Sequence, residues 1–196
     1  MFRAAVSAAR PADCLRGHWP PAPSGRLAVV ACGKAALPMA AEAVRHYGDR
    51  CEGIVIFPGD PGTAPRLHAA GLRLYPSSHP VPDTNSVHAA RAALDLASRL
   101  ADTDLLLVLL SGGGSSLMCL PARGVSLKEK QALTQDLLAC GASIREINCV
   151  RKHLSRIKGG RLAQSCEAPV FTLAISDVPG DDPGAIAFGP TVTDTS

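Results

Sequence analysis

The sequence predicts an α/β protein built on an open, mostly parallel, doubly wound sheet with helices on both faces. Three observations carry that prediction. Short aliphatic runs bounded by glycine or proline alternate along the chain with helical periodicities. The runs starting at 27, 105 and 170 are apolar almost without alternation, as strands buried on both faces of a parallel sheet are. The chain has 196 residues, 46% of them hydrophobic, enough for one full-sized domain with a real core.

Each element has its own warrant. The Pro/Gly-rich stretch Pro11–Gly25 reads as a loop before the first strand, Leu27–Cys32. A helical pattern covers Ala35–Tyr47, and a second strand covers Gly53–Phe57. Another Pro/Gly-rich loop, Phe57–Pro65, precedes a third strand at Leu72–Tyr75. The helix Thr84–Leu100 places Val87, Ala90, Leu94, Ala97 and Leu100 on one stripe. Strand Leu105–Leu110 is unbroken in its apolar character. Ser126 with Glu129 and Ser143 with Glu146 both spell the S-x-x-E capping box, which starts helices at about 126–140 and from 143. The last strand is Val170–Ile175. This order implies right-handed crossovers and ligands bound beyond the carboxyl ends of the strands. The chain stops at Asp194-Thr195-Ser196 with no closing helix or strand behind a Gly/Pro/Asp-rich loop, which reads as a piece of something longer.

Composition removes several function classes. A net charge of +3 and 4% aromatic residues supply neither the basic field nor the stacking platforms of a nucleic-acid binder. The longest apolar run, Leu105–Leu110, has six residues where a membrane-spanning helix needs about 20, and no apolar stretch of signal-peptide length opens the chain. Seven cysteines form no CxxC pair, so neither a disulfide framework nor a zinc site is expected, and a reducing cytoplasm suits them.

Chemistry is sought in the loops that follow the strands. Ser111-Gly112-Gly113-Gly114-Ser115-Ser116 leaves a buried strand through three glycines, where backbone N–H groups can turn inward as a nest for phosphate; Ser115 or Ser116 would cap a short helix before Pro121. It is neither a Walker A loop nor a GxGxxG. Cys32-Gly33-Lys34-Ala35 puts a lysine where a helix begins, unfavourable there unless an anion is recruited. Residues 151–161 hold five fixed positive charges and no acid, which makes Arg151 and Lys158 candidates for a carboxylate or phosphate; Gly159-Gly160 marks a close ligand approach or a helix start. Asp177, with Asp181 and Asp182 behind it, can hold hydrated Mg²⁺ or simply cap turns. His79, in the Pro-rich loop Ser78–Asp83, can meet a substrate or serve the structure.

Taken together, Cys32–Ala35, His79–Asp83, Ser111–Ser115, Asn148–Gly160 and Ser176–Asp181 resemble the class II glycerate kinases, the glycerate 2-kinase family once described as hydroxypyruvate reductases. The resemblance covers almost the whole chain. It implies an enzyme that uses ATP and Mg²⁺ to phosphorylate the 2-hydroxyl of D-glycerate, with this chain as the Rossmann-like N-terminal domain over residues 1–196. It also implies a smaller C-terminal domain across the active-site cleft, absent here and supplied in cis or by an oligomer partner. Lys34 matches the lysine proposed for catalysis, and Ser111, Gly112, Gly113, Gly114 and Ser115 match the phosphate loop. Arg151 and Lys158 are assigned to the substrate and Asp177 to the metal. The chain departs from the family at Phe188, where serine is usual, and at Thr193, where proline is usual. The rival readings are an NAD(P)-dependent hydroxypyruvate reductase, weakened by the missing GxGxxG, and a non-catalytic remnant.

Overall fold

The computed structural model describes residues 9–60, 67–68 and 70–196. Its five described strands are β1 (Leu27–Cys32), β2 (Cys51–Pro58), β3 (Leu72–Ser77), β4 (Leu105–Ser111) and β5 (Val170–Ile175), all parallel, in the order β3-β2-β1-β4-β5. Their helices are α1 (Pro11–Cys14), α2 (Ala36–Tyr47), α3 (Thr84–Ala97), α4 (Gly114–Leu117), α5 (Leu127–Ala139), α6 (Ile144–His153) and α7 (Arg161–Gln164).

Alternate residues of the central strands feed two separate cores. Val29, Ala31, Val55, Phe57, Leu107 and Leu109 pack against α2, while Val30, Cys32, Ile54, Ile56, Leu106 and Val108 pack against α3. Both faces are therefore covered, as a doubly wound sheet requires. The chain works outward from β1 to β3, then returns to lay β4 on the other side of β1. That reversal makes the gap between the carboxyl ends of β1 and β4 the topological switch point, where ligands of open α/β sheets bind.

Four expectations need correction. β5 is not buried on both faces: it is an edge strand bonded to β4 alone, with Phe171 38% exposed. The face of α3 set against the sheet is the small-residue stripe Ser86, Ala89, Ala90, Ala93 and Ala97, because small side chains let the helix axis approach the strands; Val87 and Leu94 flank it half-buried. Within Pro11–Gly25, residues 11–14 form helix α1. That segment is held down by Leu15 in the core, by Trp19 stacked on His46 and by the Tyr47 hydroxyl donating to Pro20 O at 2.7 Å. The loop expected over Phe57–Pro65 falls at 57–58 on β2, and its part from 61 lies outside the described residues.

Both capping boxes form. Ser126 Oγ accepts from Glu129 N at 3.2 Å and Glu129 returns the bond to Ser126 N at 2.7 Å, with the same exchange between Ser143 and Glu146. None of the seven cysteines forms a disulfide, and burial pushes Cys32 up to about 12 and Cys51 up to about 11, leaving both as unreactive core residues. Among the described residues, no helix is long and apolar enough to cross a membrane.

Candidate functional site at the switch point

The loops leaving β1 and β4 are stitched together. Lys34 N donates to Gly112 O at 2.8 Å and Ala35 N to Ser111 Oγ at 3.0 Å. The Ser111 hydroxyl is thus occupied in joining the two loops, and its residue is 3% exposed. The contact is so close that a Cβ added at Gly33 would lie 2.1 Å from Ser111 Oγ. Lys34 emerges from this junction with its side chain exposed, ahead of α2, whose N-cap Ala35 has no side-chain cap and whose first turn carries no acid.

The glycine loop turns through Gly113, which adopts φ +85° and is itself the N-cap of α4. No serine caps this turn, contrary to expectation: Ser116 lies inside α4 and its hydroxyl donates back to Gly113 O at 3.2 Å. A four-residue turn sums too few peptide dipoles to matter, so what the loop offers an anion is its individual donors. The N–H groups of Gly113, Gly114 and Ser115 have no protein acceptor among the described residues.

Two side chains from other strand ends lean on this loop. A Cβ at Gly112 would fall 2.0 Å from Asp177 Oδ2, and one at Gly113 would fall 2.9 Å from His79 Cδ2 and 3.4 Å from Lys34 Cε. Lys34, Asp177 and His79 therefore meet over Gly112-Gly113, each arriving from a different strand's carboxyl end. Partial burial, then Lys34, hold the His79 ring below the ordinary histidine range against the opposing pull of Asp177, so it is neutral at pH 7.

On the other side of His79 lies a cavity of about 360 Å³. Its rim is Pro80, Val81, Pro82 and Leu138; deeper in it meets Ser115 and Ser116, and its basic wall comprises Lys130, Arg151 and Lys158. No carboxylate is among its lining residues. Lys158 is 1% exposed and donates to Met118 O at 3.2 Å. The Arg151 guanidinium sits 4.6 Å and the Lys158 ammonium 4.9 Å from the centroid of the Phe188 ring, so one aromatic ring serves two cations. Phe188 itself takes a left-handed φ of +61° while 5% exposed, a conformation that a bulky residue holds only when its surroundings impose it.

The five cations of 151–161 thus have distinct fates. Arg151 and Lys158 face the cavity, Lys152 pairs with Asp194 at 2.6 Å, Arg161 donates to the carbonyls of Lys152 and Lys158, and Arg156 is exposed. Gly159 and Gly160 face protein, not a ligand: their N–H groups donate to Phe188 O and Gly189 O at 3.0 and 2.7 Å, and Gly160 caps α7. Asp182 caps its own turn through Gly184 N, and Asp181 stays exposed, which leaves Asp177 as the one acid of that loop against the glycines. Sequence reasoning left His79 open between substrate and structure, and left Lys130 and Phe188 out of the site. His79 lies just past a strand's carboxyl end, which is a usable signal; nothing in the spacing of residues 127–139 marks Lys130 as inward-facing.

No cluster of three or more His, Cys, Asp or Glu side chains able to hold a metal occurs among the described residues. A lone Asp177 beside free N–H donors fits an Mg²⁺ that arrives with phosphate oxygens, which need only one or two protein carboxylates.

The sequence profile of a domain of unknown function, DUF4147, matches residues 1–196. The D-glycerate 2-kinase of Thermotoga maritima is 46% identical over 173 residues, 87% of this chain and 41% of that protein, and human glycerate kinase is 40% identical over 220 residues, 98% and 42%. A protein of Agrobacterium vitis that carries a provisional hydroxypyruvate reductase name is 44% identical over 196 residues, 99% and 44%. The crystal structure of the T. maritima glycerate kinase superposes with a TM-score of 0.87 at 40% identity, covering 99% of this chain and 47% of that one. The chain thus spans less than half the length of these relatives, and over all of its own length it belongs to the DUF4147 family, alongside the glycerate kinases.

Proposed function

We propose that this chain is the phosphate-binding part of a kinase that moves the γ-phosphoryl group of ATP to the 2-hydroxyl of D-glycerate, forming 2-phosphoglycerate and ADP. One observation carries the reading: a cationic side chain, three unpaired N–H donors and a single carboxylate converge at the switch point, next to a cavity walled by cations. The kinase names of its relatives agree with that chemistry.

In this reading the N–H groups of Gly113, Gly114 and Ser115 hold phosphate oxygens, and Lys34 neutralises charge on the transferring group. Asp177 would hold Mg²⁺, which neutralises phosphate charge when bound. Arg151 and Lys158 take the glycerate carboxylate. The 2-hydroxyl oxygen attacks the γ-phosphorus, the bond to the β,γ-bridging oxygen breaks, and neutral His79, which borders both the glycine loop and the cavity, accepts the hydroxyl proton. Because the relatives are more than twice as long, the other wall of the cleft belongs to a part of the protein outside this chain, in cis or from a partner. Seven cysteines without a disulfide suit the cytoplasm.

The test is calorimetric titration of the chain with ATP and Mg²⁺, beside ADP release with D-glycerate and phosphorus NMR of the product. Saturable nucleotide binding with turnover far below the ordinary kinase range of about 1–100 per second is expected, because half the charge enclosure is missing. Absent nucleotide binding, with NADH oxidised by hydroxypyruvate instead, would return the reductase reading.

A further inference from the structure

The cavity next to the glycine loop contains more positive charge than it can hold when empty. Lys158 Nζ has one hydrogen-bond acceptor, Met118 O, and the groups around it are Arg151 from α6, Lys130 from α5, the thiols of Cys119 and Cys32, and the face of Phe188. None of these is a counter-ion. Lys130 is 6% exposed and bonded to the carbonyls of Arg151 and Leu154, so it cannot swing away, and Arg151 keeps its proton at any accessible pH. An aromatic face attracts a cation without neutralising it. One of the cations must therefore give up its proton, and Lys158, the most buried and an amine, is the one able to do so.

We propose that this cavity binds an organic carboxylate and a proton together: Lys158 is an uncharged amine when the cavity is empty and becomes an ammonium when the anion enters beside Arg151. The inference rests on the reading of this cavity as the place of the glycerate carboxylate. The Phe188 ring lies against both cations. Burial brings Lys158 down to about 7, which places the uptake at neutral pH. Below that pH the amine is already charged and binding needs no proton. Above it, each bound anion must bring one, so affinity falls as pH rises.

The test is titration of the chain with D-glycerate, whose carboxylate stays ionised throughout the window, at pH 6 and pH 8 and in two buffers of different ionisation enthalpy. With a midpoint near 7, the charged fraction drops from about nine-tenths to about one-tenth between those values, so binding at pH 6 should be about tenfold tighter than at pH 8. Proton uptake should be small at pH 6 and approach one at pH 8. Lys158→Arg should bind with equal affinity at both pH values and no uptake. A readout independent of any variant is the ¹³C shift of the lysine Cε atoms, tractable because the chain has five lysines. One resonance should titrate near neutrality and move up by about two units or more with glycerate. Glycerate binding of pH-independent affinity, or a set of lysine resonances that all titrate near 10, would overturn the proton linkage while leaving the carboxylate site standing. No glycerate binding at either pH would overturn both the site and the linkage.

Discussion

Replacing Gly113 by alanine tests the geometry of the phosphate loop directly. At φ +85° an L residue pays roughly 1–2 kcal/mol of backbone strain, and its Cβ would stand 2.9 Å from His79 Cδ2 and 3.1 Å from His79 Nε2. The ring belongs to an exposed side chain and can give way by a few tenths of an ångström, so strain dominates and the contact adds a smaller amount. For a chain of this size about 1–2 kcal/mol corresponds to a drop of roughly 2–8 °C in melting temperature. Urea unfolding should show a lower midpoint at unchanged slope. The same substitution in a His79→Ala background should cost less, by the part owed to the ring, and the remainder should match the strain alone. ATP affinity should fall in Gly113→Ala, because the donors at 113–115 rotate with the strained residue and His79 is displaced from the loop. An unchanged unfolding midpoint would refute the left-handed turn; a destabilised variant with unchanged ATP affinity would refute the phosphate role.

Lys34→Met should weaken ATP binding without moving the melting temperature by more than the equivalent of about 0.5 kcal/mol, since the side chain is exposed and serves no core contact; equal calorimetric affinity for the two forms would remove Lys34 from the site. Asp194 is held well below the usual carboxylate range, first by the hydrogen bond from Lys152, so its charged form favours the folded state. Asp194→Asn should then be less stable than the parent above about pH 4, and the gap should narrow progressively as pH falls from the ordinary value of 3.8 toward the much lower folded one; a gap undiminished between pH 4 and pH 2 would contradict the pairing. Lys158 is lowered to about 7 by burial, so the folded state resists its charge: stability from this group is fully present above the unfolded value of 10.5 and lost as pH falls to 7. Lys158→Met should therefore be the more stable form at pH 6, by an amount on the order of a few kcal/mol, with the advantage shrinking toward pH 10 in denaturant titrations; an advantage that grows with pH would be the wrong sign.

Features whose causes lie within a few residues were legible along the chain. β1 and β5 run between the residues read from their apolar runs, and Ser126 and Ser143 start α5 and α6 because each box closes between residues three apart. The parallel, doubly wound architecture was legible for the same reason, since continuous apolar runs alternating with helices leave few other ways to bury both faces. Whatever depends on strand order and on distant partners emerges first in the folded chain. β5 keeps an apolar run although it lies at an edge, so its sequence cannot announce its exposure. Asp177 meets Gly112, His79 meets Gly113, and Phe188 gathers Arg151 and Lys158, all across separations that no local spacing encodes. Charge behaves likewise: the five cations of 151–161 read alike along the chain as fixed charges, and burial sets Lys158 apart from the exposed Arg156, because desolvation depends on which other segments pack over a side chain.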